Sequence, residues 1–254
     1  MTQQKKGRLF GIGVGPGDPE LLTVKAARIL SRVPVVCVPK GKAQGSSLAL
    51  AVIQELIDPG QQQILECHFP MVRDPEEAEE FWQEAARQVL EPLQRGCDVA
   101  FVTLGDPLFY STFIYLYRTI QELDPEIHQE IVPGVSSLHA ASAVASLPLG
   151  VAGERIAILP ATGDRAALRR TLEEFDTIVL LKVSQALDEV VALLETLGLK
   201  EKAVFVQKCG MAGERVIREL DRLGGEKVDY FSLLIVSKGM GQRAEGRSDG
   251  RDEA

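Results

Sequence analysis

Leu9-Phe10-Gly11-Ile12-Gly13-Val14-Gly15-Pro16-Gly17-Asp18-Pro19-Glu20 is the stretch on which the fold reading turns. Leu9–Val14 is apolar and suits a strand. The glycines at 11, 13, 15 and 17 then leave backbone with no side chain in the way, as a close approach to a ligand or to another chain segment requires. Asp18 followed by Pro19 offers an N-cap and a proline at the first helical position, and Leu22, Ala26, Ile29 and Leu30 continue at helical spacing. Strand, glycine corner, helix is the start of an α/β unit. It is not the dinucleotide fingerprint, because counted from Gly11 the third glycine falls on Pro16. The second strand also ends Val38-Pro39-Lys40, without the acid that would hold a ribose. No Gly-Lys-Ser/Thr follows, so a P-loop is excluded.

Working outward, apolar runs alternate with helical patterns. Strands are expected at Val33–Val38, Ile64–Cys67, Val99–Leu104 and Ile131–Val132. Helices are expected around Leu48–Leu56, from Asp74-Pro75-Glu76-Glu77 through Phe81, Ala85 and Val89, and from about Ser111. Val99–Leu104 is apolar but for Thr103, as a strand covered on both faces of a parallel sheet should be. A second set follows Pro133-Gly134: a small-residue helix at Ser136–Ser146, strands at Arg155–Leu159, Thr177–Val183, Ala203–Gln207 and Phe231–Val236, and helices near 164–175 and 185–197. The reading is therefore α/β, with two domains: 8–132 with a mostly parallel sheet, and 133–241. Residues 242–254 are charged and glycine-rich and read as a disordered tail.

Composition narrows the function. The 254 residues carry 28 Lys+Arg against 36 Asp+Glu, a formal charge of −8, which disfavours a nucleic-acid partner. No run is long and apolar enough for a membrane span, and the start does not read as a signal peptide. The cysteines at 37, 67, 97 and 209 form no CxxC pair and read as reduced cytoplasmic thiols. The histidines at 68, 128 and 139 have no ligand spacing, so no metal site is expected.

Two more corners follow strands. Leu104-Gly105-Asp106-Pro107-Leu108-Phe109-Tyr110-Ser111-Thr112 lies at the carboxyl end of the most apolar strand, the end that faces the ligand crevice in open α/β sheets. Asp106 there either accepts hydrogen bonds from a ligand or starts the next helix. Pro133-Gly134-Val135-Ser136-Ser137 is the third corner, whose hydroxyls cap a helix or touch a ligand. No Ser/His/Asp order and no G-x-S-x-G elbow supports nucleophilic catalysis.

The three corners together resemble the tetrapyrrole methyltransferase family: GVGPGDPELLTVKA matches its opening, LGDPLFYSTF its central loop and VPGVSSLHAASA its third segment, from about residue 8 to 240. GDPLFYSTFIYLY and VVCVPKG are similar to the branch that methylates C20 of precorrin-2 or cobalt-factor II. The resemblance implies two α/β domains with S-adenosylmethionine in the cleft between them, release of S-adenosylhomocysteine, a tetrapyrrole substrate, and a homodimer. By the same resemblance, the donor contacts fall on Pro16, Leu104, Gly105, Asp106, Phe109, Ser136 and Ser137, with Lys182 and Cys209 where relatives often carry Met and Gly. Asp106, Tyr110 or water are the candidates for a later proton removal, and the sequence does not choose among them. The substrate's carboxylates call for a local basic group, with Lys40 first and Lys42, Arg73, Arg118, Lys182 and Lys208 behind it; Tyr110 joins the substrate side. Alternatives are a methyltransferase of the same fold acting on another tetrapyrrole position, diphthamide or ribosomal RNA, a nucleotide-binding oxidoreductase, and a non-catalytic tetrapyrrole carrier.

Overall fold

A computed structural model describes residues 5–41, 47–69 and 74–239. The expectation of a disordered tail, and the candidates Lys42 and Arg73, lie outside the described residues. The chain divides into two compact units after Ser137, where the sequence reading divides it after Val132.

The first unit is built on a sheet of order β3-β2-β4-β1-β5, with every neighbouring pair parallel. Its strands are β1 (Leu9–Gly13), β2 (Val35–Lys40), β3 (Gln63–His68), β4 (Val99–Thr103) and β5 (Gln129–Val132). The helices are α1 (Val24–Leu30), α2 (Leu48–Ile53), α3 (Pro75–Gln94) and α4 (Phe113–Leu123). β1 and β4 are buried along their whole length because both sheet faces are covered. Ala26, Leu30, Val52 and Ile53 of α1 and α2 pack on Ile12, Val36 and Val102. Ala85, Val89, Phe113 and Leu116 of α3 and α4 pack on Leu9, Val35 and Phe101 of the opposite face. Each of the larger of these side chains, fully buried, contributes about 1.5–3 kcal/mol.

Topology singles out one end of this sheet. From β1 the chain crosses over β4 to reach β2; from β4 it crosses over β1 to reach β5. These two adjacent central strands send their connections in opposite directions, which makes their carboxyl ends the switch point at which open α/β sheets bind ligands.

Two local expectations are corrected. Asp18 does cap, accepting from Glu20 N–H at 2.9 Å, but it caps only a 3-10 turn, Pro19–Leu21. Leu22 is extended, and α1 begins anew behind Thr23, whose hydroxyl accepts from Ala26 N–H. Pro39 does not close β2 but lies inside it. The pairing of β2 with β4 stops at Cys37, so Pro39 faces one partner strand only, and its missing N–H removes no ladder bond on the other side.

The second unit has a sheet of order β6-β7-β10-β8-β9, made of β6 (Ile156–Pro160), β7 (Thr177–Leu181), β8 (Ala203–Gln207), β9 (Arg215–Ile217) and β10 (Ser232–Ser237). α5 (Ser137–Val144) leads into it, and α6 (Arg165–Glu174) and α7 (Leu187–Thr196) follow β6 and β7. β6 and β7 are parallel, while β10 is antiparallel to both β7 and β8. Leu168 and Leu172 of α6 and Val190 and Leu194 of α7 cover Ile178, Leu180, Phe205 and Leu234. The segment 214–220, for which the sequence gives no assignment, holds the short edge strand β9 and the start of a 3-10 turn, Leu220–Leu223. Among the described residues no helix is long and apolar enough to cross a membrane, and no group of three or more His, Cys, Asp or Glu side chains could hold a metal ion.

Candidate functional site

The three glycine corners of the first unit meet at the carboxyl ends of β1, β4 and β5. Gly15 and Gly105 form an isolated antiparallel bridge: Gly105 N–H donates to the Gly15 carbonyl at 2.7 Å and Gly15 N–H to the Gly105 carbonyl at 3.3 Å. Both have positive φ, 77° and 69°, a conformation that glycine adopts without steric cost. The third corner packs onto this bridge through Gly13 and Gly134. A Cβ on Gly134 would stand 2.2 Å from the Gly105 oxygen and 2.8 Å from the Gly13 Cα, and one on Gly13 would stand 2.7 Å from the Gly134 nitrogen. Three backbones therefore touch without an intervening side chain. Gly11 has another role, since the Phe113 ring fills the place of its Cβ.

Asp106 binds the arrangement together. Its Oδ1 accepts from Leu108 N–H at 2.9 Å and its Oδ2 from Gly134 N–H at 3.1 Å. The carboxylate thus shapes its own loop and ties it to the third corner. Beneath it, the Thr103 and Ser111 hydroxyls bond each other at 2.9 Å, and Ser111 Oγ accepts from Phe113 N–H, which starts α4 in register with the loop.

The other candidates of this unit take these positions. Pro16 and Ser136 are buried, while Leu104, Gly105, Phe109 and Ser137 are half-buried. Tyr110 is 55% exposed, edge-on to Phe109 with ring centroids 5.0 Å apart. Its φ is 52°, a left-handed backbone that costs a non-glycine residue roughly 1–2 kcal/mol. Lys40 stands at the end of β2, but its ammonium is 2.6 Å from Glu66 Oε2 on β3, so its charge is largely met within the sheet. Arg118 is exposed along α4. Trp82 stacks flat on Tyr115, centroids 4.1 Å apart.

In the second unit Lys182 directly follows β7 and is exposed, with φ 56°. Lys208 directly follows β8 with φ 52°, its ammonium 3.2 Å from Asp229 Oδ2. Cys209 is buried, and its pKa is pushed up to about 12. Burial is the main cause, helped by the Glu214 carboxylate nearby.

The sequence reading passes over Gly13, Gly15 and Gly134 as site residues. They stand inside the quoted corners, yet their packing against one another is a tertiary fact that no single corner carries.

A family profile described as tetrapyrrole (corrin/porphyrin) methylases matches residues 8–223. The chain belongs to this family. Within it, the chain is 35% identical to a cobalt-precorrin-2 C(20)-methyltransferase of Salmonella typhimurium, over 91% of this chain and 97% of that protein. It is 31% identical to a precorrin-2 C(20)-methyltransferase of a Sinorhizobium species, over 91% and 95%. Among solved structures it resembles a uroporphyrin-III C-methyltransferase of Thermus thermophilus complexed with S-adenosylhomocysteine, with TM-score 0.64 and 25% identity over 91% of this chain and 98% of that one. The family's members are methyltransferases, and so is this protein; its α/β units are those expected of a tetrapyrrole methylase.

Proposed function

We propose that this methylase transfers a methyl group from S-adenosylmethionine to C20 of precorrin-2 or its cobalt complex, in cobalamin biosynthesis. The observation that carries the reading is the 35% identity to a C20-methyltransferase across 97% of that enzyme.

The corners fit the donor. Segments 14–18, 104–111 and 133–137 carry Asp18 and Asp106 and no lysine or arginine, which suits a sulfonium cation. The side-chain-free packing at Gly13, Gly105 and Gly134 lets the three corners close on one another. Pro16, Leu104, Gly105, Asp106, Phe109, Ser136 and Ser137 would hold it; Lys182 and Cys209 are donor candidates by the resemblance alone. At its high pKa Cys209 stays a thiol, so it does not compete with the substrate carbon for the methyl group.

S-Adenosylmethionine supplies a methyl group that is already electrophilic, and the chain need provide no nucleophile of its own. Its task is to hold C20 and the methyl in line, an effect that reaches about 7–11 kcal/mol in the best intramolecular cases. Asp106, by fixing Gly134 and Leu108, keeps the corner rigid for that alignment. A water-poor site favours a transition state in which charge is spreading. The proton then leaving C20 would go to the Asp106 carboxylate, to Tyr110 as its phenolate, or to water; the exposed Tyr110 ring also offers a face to the pigment. Lys40, held on Glu66, ranks as a carboxylate partner below Arg118 and Lys182, which form no ion pair among the described residues. A homodimer and a cytoplasmic location complete the reading on the strength of the resemblance, and sedimentation would check the first.

The deciding experiment is incubation with methyl-labelled S-adenosylmethionine and, separately, precorrin-2 and cobalt-precorrin-2, followed by mass spectrometry and NMR. One new methyl at C20 is expected. A methyl at any other carbon, or none, defeats the assignment.

A further inference from the structure

The carboxyl ends of β6, β7 and β8 all emerge at one end of the second sheet, because β6 and β7 are parallel and β7 and β8 both run antiparallel to β10. Ser232, the first residue of β10, pairs with Gln207, and Leu233 pairs with Leu181. Lys182 and Lys208 therefore flank the start of β10, about two strand spacings (~9–10 Å) apart at the backbone. Both are held in the left-handed region, so the chain turns sharply at each lysine.

Their charges are treated differently. Lys208 is answered by Asp229, whose other oxygen accepts from Phe231 N–H; that backbone bond first, then the Lys208 ammonium, holds the Asp229 carboxyl below its ordinary pKa. At the neighbouring corner after β6, Asp164 is engaged in capping α6, accepting from Ala166 and Ala167 N–H. No acidic group among the described residues pairs with Lys182. In a chain of net charge −8, Lys182 is thus an exposed ammonium with no counter-charge among the described residues, at the end of the second sheet where β6, β7 and β8 all finish.

We infer that the Lys182 ammonium binds a carboxylate of a reactant. This rests on the proposed function, in which two carboxylates are at hand: an acetate or propionate of the tetrapyrrole, and the methionyl carboxylate of the donor. The contact is an ammonium–carboxylate ion pair, with no bond made or broken. It assigns Lys182 a charge-dependent role, where a Met in that place could give only apolar contact.

The test compares wild type with Lys182→Met and Lys182→Arg. Met has a similar stem and meets the same backbone constraint at an exposed position, so folding should be unaffected, as a melting curve would show. Calorimetry gives the affinities for S-adenosylhomocysteine and for 5′-deoxy-5′-methylthioadenosine, which lacks the carboxylate; steady-state rates give KM for cobalt-precorrin-2. If the pigment is the source, Lys182→Met raises its KM about 10-fold, the scale of one charge-assisted pair, leaves both thioether affinities alone, and Lys182→Arg recovers most of the loss. If the donor is the source, S-adenosylhomocysteine weakens about 10-fold while methylthioadenosine does not. Removing a distant exposed cation, as in Arg28→Gln, should change none of these values. Unchanged values in Lys182→Met, or equal weakening of both thioethers, would overturn the inference. If wild type binds S-adenosylhomocysteine but methylates a carbon other than C20, the proposed function fails while the Lys182 comparison can still be read with that substrate.

Discussion

At the scale of single residues, the contact of Gly13, Gly105 and Gly134 is a tight backbone constraint in the first unit. Gly134→Ala places a methyl 2.2 Å from a carbonyl oxygen and 2.8 Å from a neighbouring Cα. Backbone cannot yield as a flexible side chain can, so the corners must part. An overpacking cost of about 1–3 kcal/mol is expected, together with weaker binding of S-adenosylhomocysteine, measured by melting and by calorimetry. Asp106→Asn tests the carboxylate separately. Both oxygens now accept from backbone N–H groups; an amide can accept at only one of the two places and sets N–H against N–H at the other. That leaves a polar group unsatisfied, at about 1–3 kcal/mol, and loosens either Leu108 or Gly134. If Asp106 also takes the proton from C20, turnover falls further than donor affinity; equal losses in the two would confine Asp106 to positioning.

At the scale of elements, the sequence reveals what is local. The mainly apolar run at 99–104 foretells β4, and Ala203–Gln207 foretells β8 to the residue, because a strand buried on both faces needs a nearly continuous apolar run. What depends on a distant partner is hidden. Pro39 can sit in β2 because β4 has already diverged, and Glu66 spends the charge of Lys40. Gly11 packs on a ring from α4, and Leu22 breaks a helix that its spacing alone would continue. The glycine corners are legible as corners, but the contact that makes them one site is not. A further tertiary link gives a pH prediction. Lys6, ahead of β1, reaches Asp124 at the end of α4, with Nζ 2.7 Å from Oδ1 and 2.8 Å from Oδ2. The Lys6 hydrogen bond, aided by Gln94 and opposed by partial burial, holds the Asp124 carboxyl below its ordinary value. A folded-state pKa that is depressed contributes stability above the unfolded pKa, about 3.9, and loses it as pH falls through the folded value. The Lys6 pKa is raised, chiefly by its hydrogen bond to Asp124, so its share is present below the unfolded value and is lost only in strong alkali. Asp124→Asn should lower the melting temperature at neutral pH by about 2–4 °C and make the fall in acid shallower than in wild type. An unchanged acid slope would show that other carboxylates govern it.

At the scale of the whole molecule, charge and reactants make opposite demands. The protein carries −8, its proposed acceptor is a polyacid, and its donor has a net positive charge at neutral pH. Over distances of several tens of ångströms the pigment meets the summed field and is repelled, while the donor is attracted. The Debye length shrinks from about 30 Å at 0.01 M salt to about 8 Å at 0.15 M. Screening over that range removes most of the long-range field but little of a contact at hydrogen-bond distance such as the one inferred for Lys182. Raising salt should therefore speed the arrival of the pigment more than it weakens its hold. The expected outcome is a rise of a few-fold in kcat/KM for cobalt-precorrin-2 between these two ionic strengths, and a small fall for S-adenosylmethionine, measured with the other reactant saturating. The opposed signs separate a field effect from a general action of salt on the fold, which would move both values together. A fall in kcat/KM for the pigment would mean that a local basic field outweighs the net charge even at a distance, and Arg118 and Lys182 would then have to act together well beyond contact range.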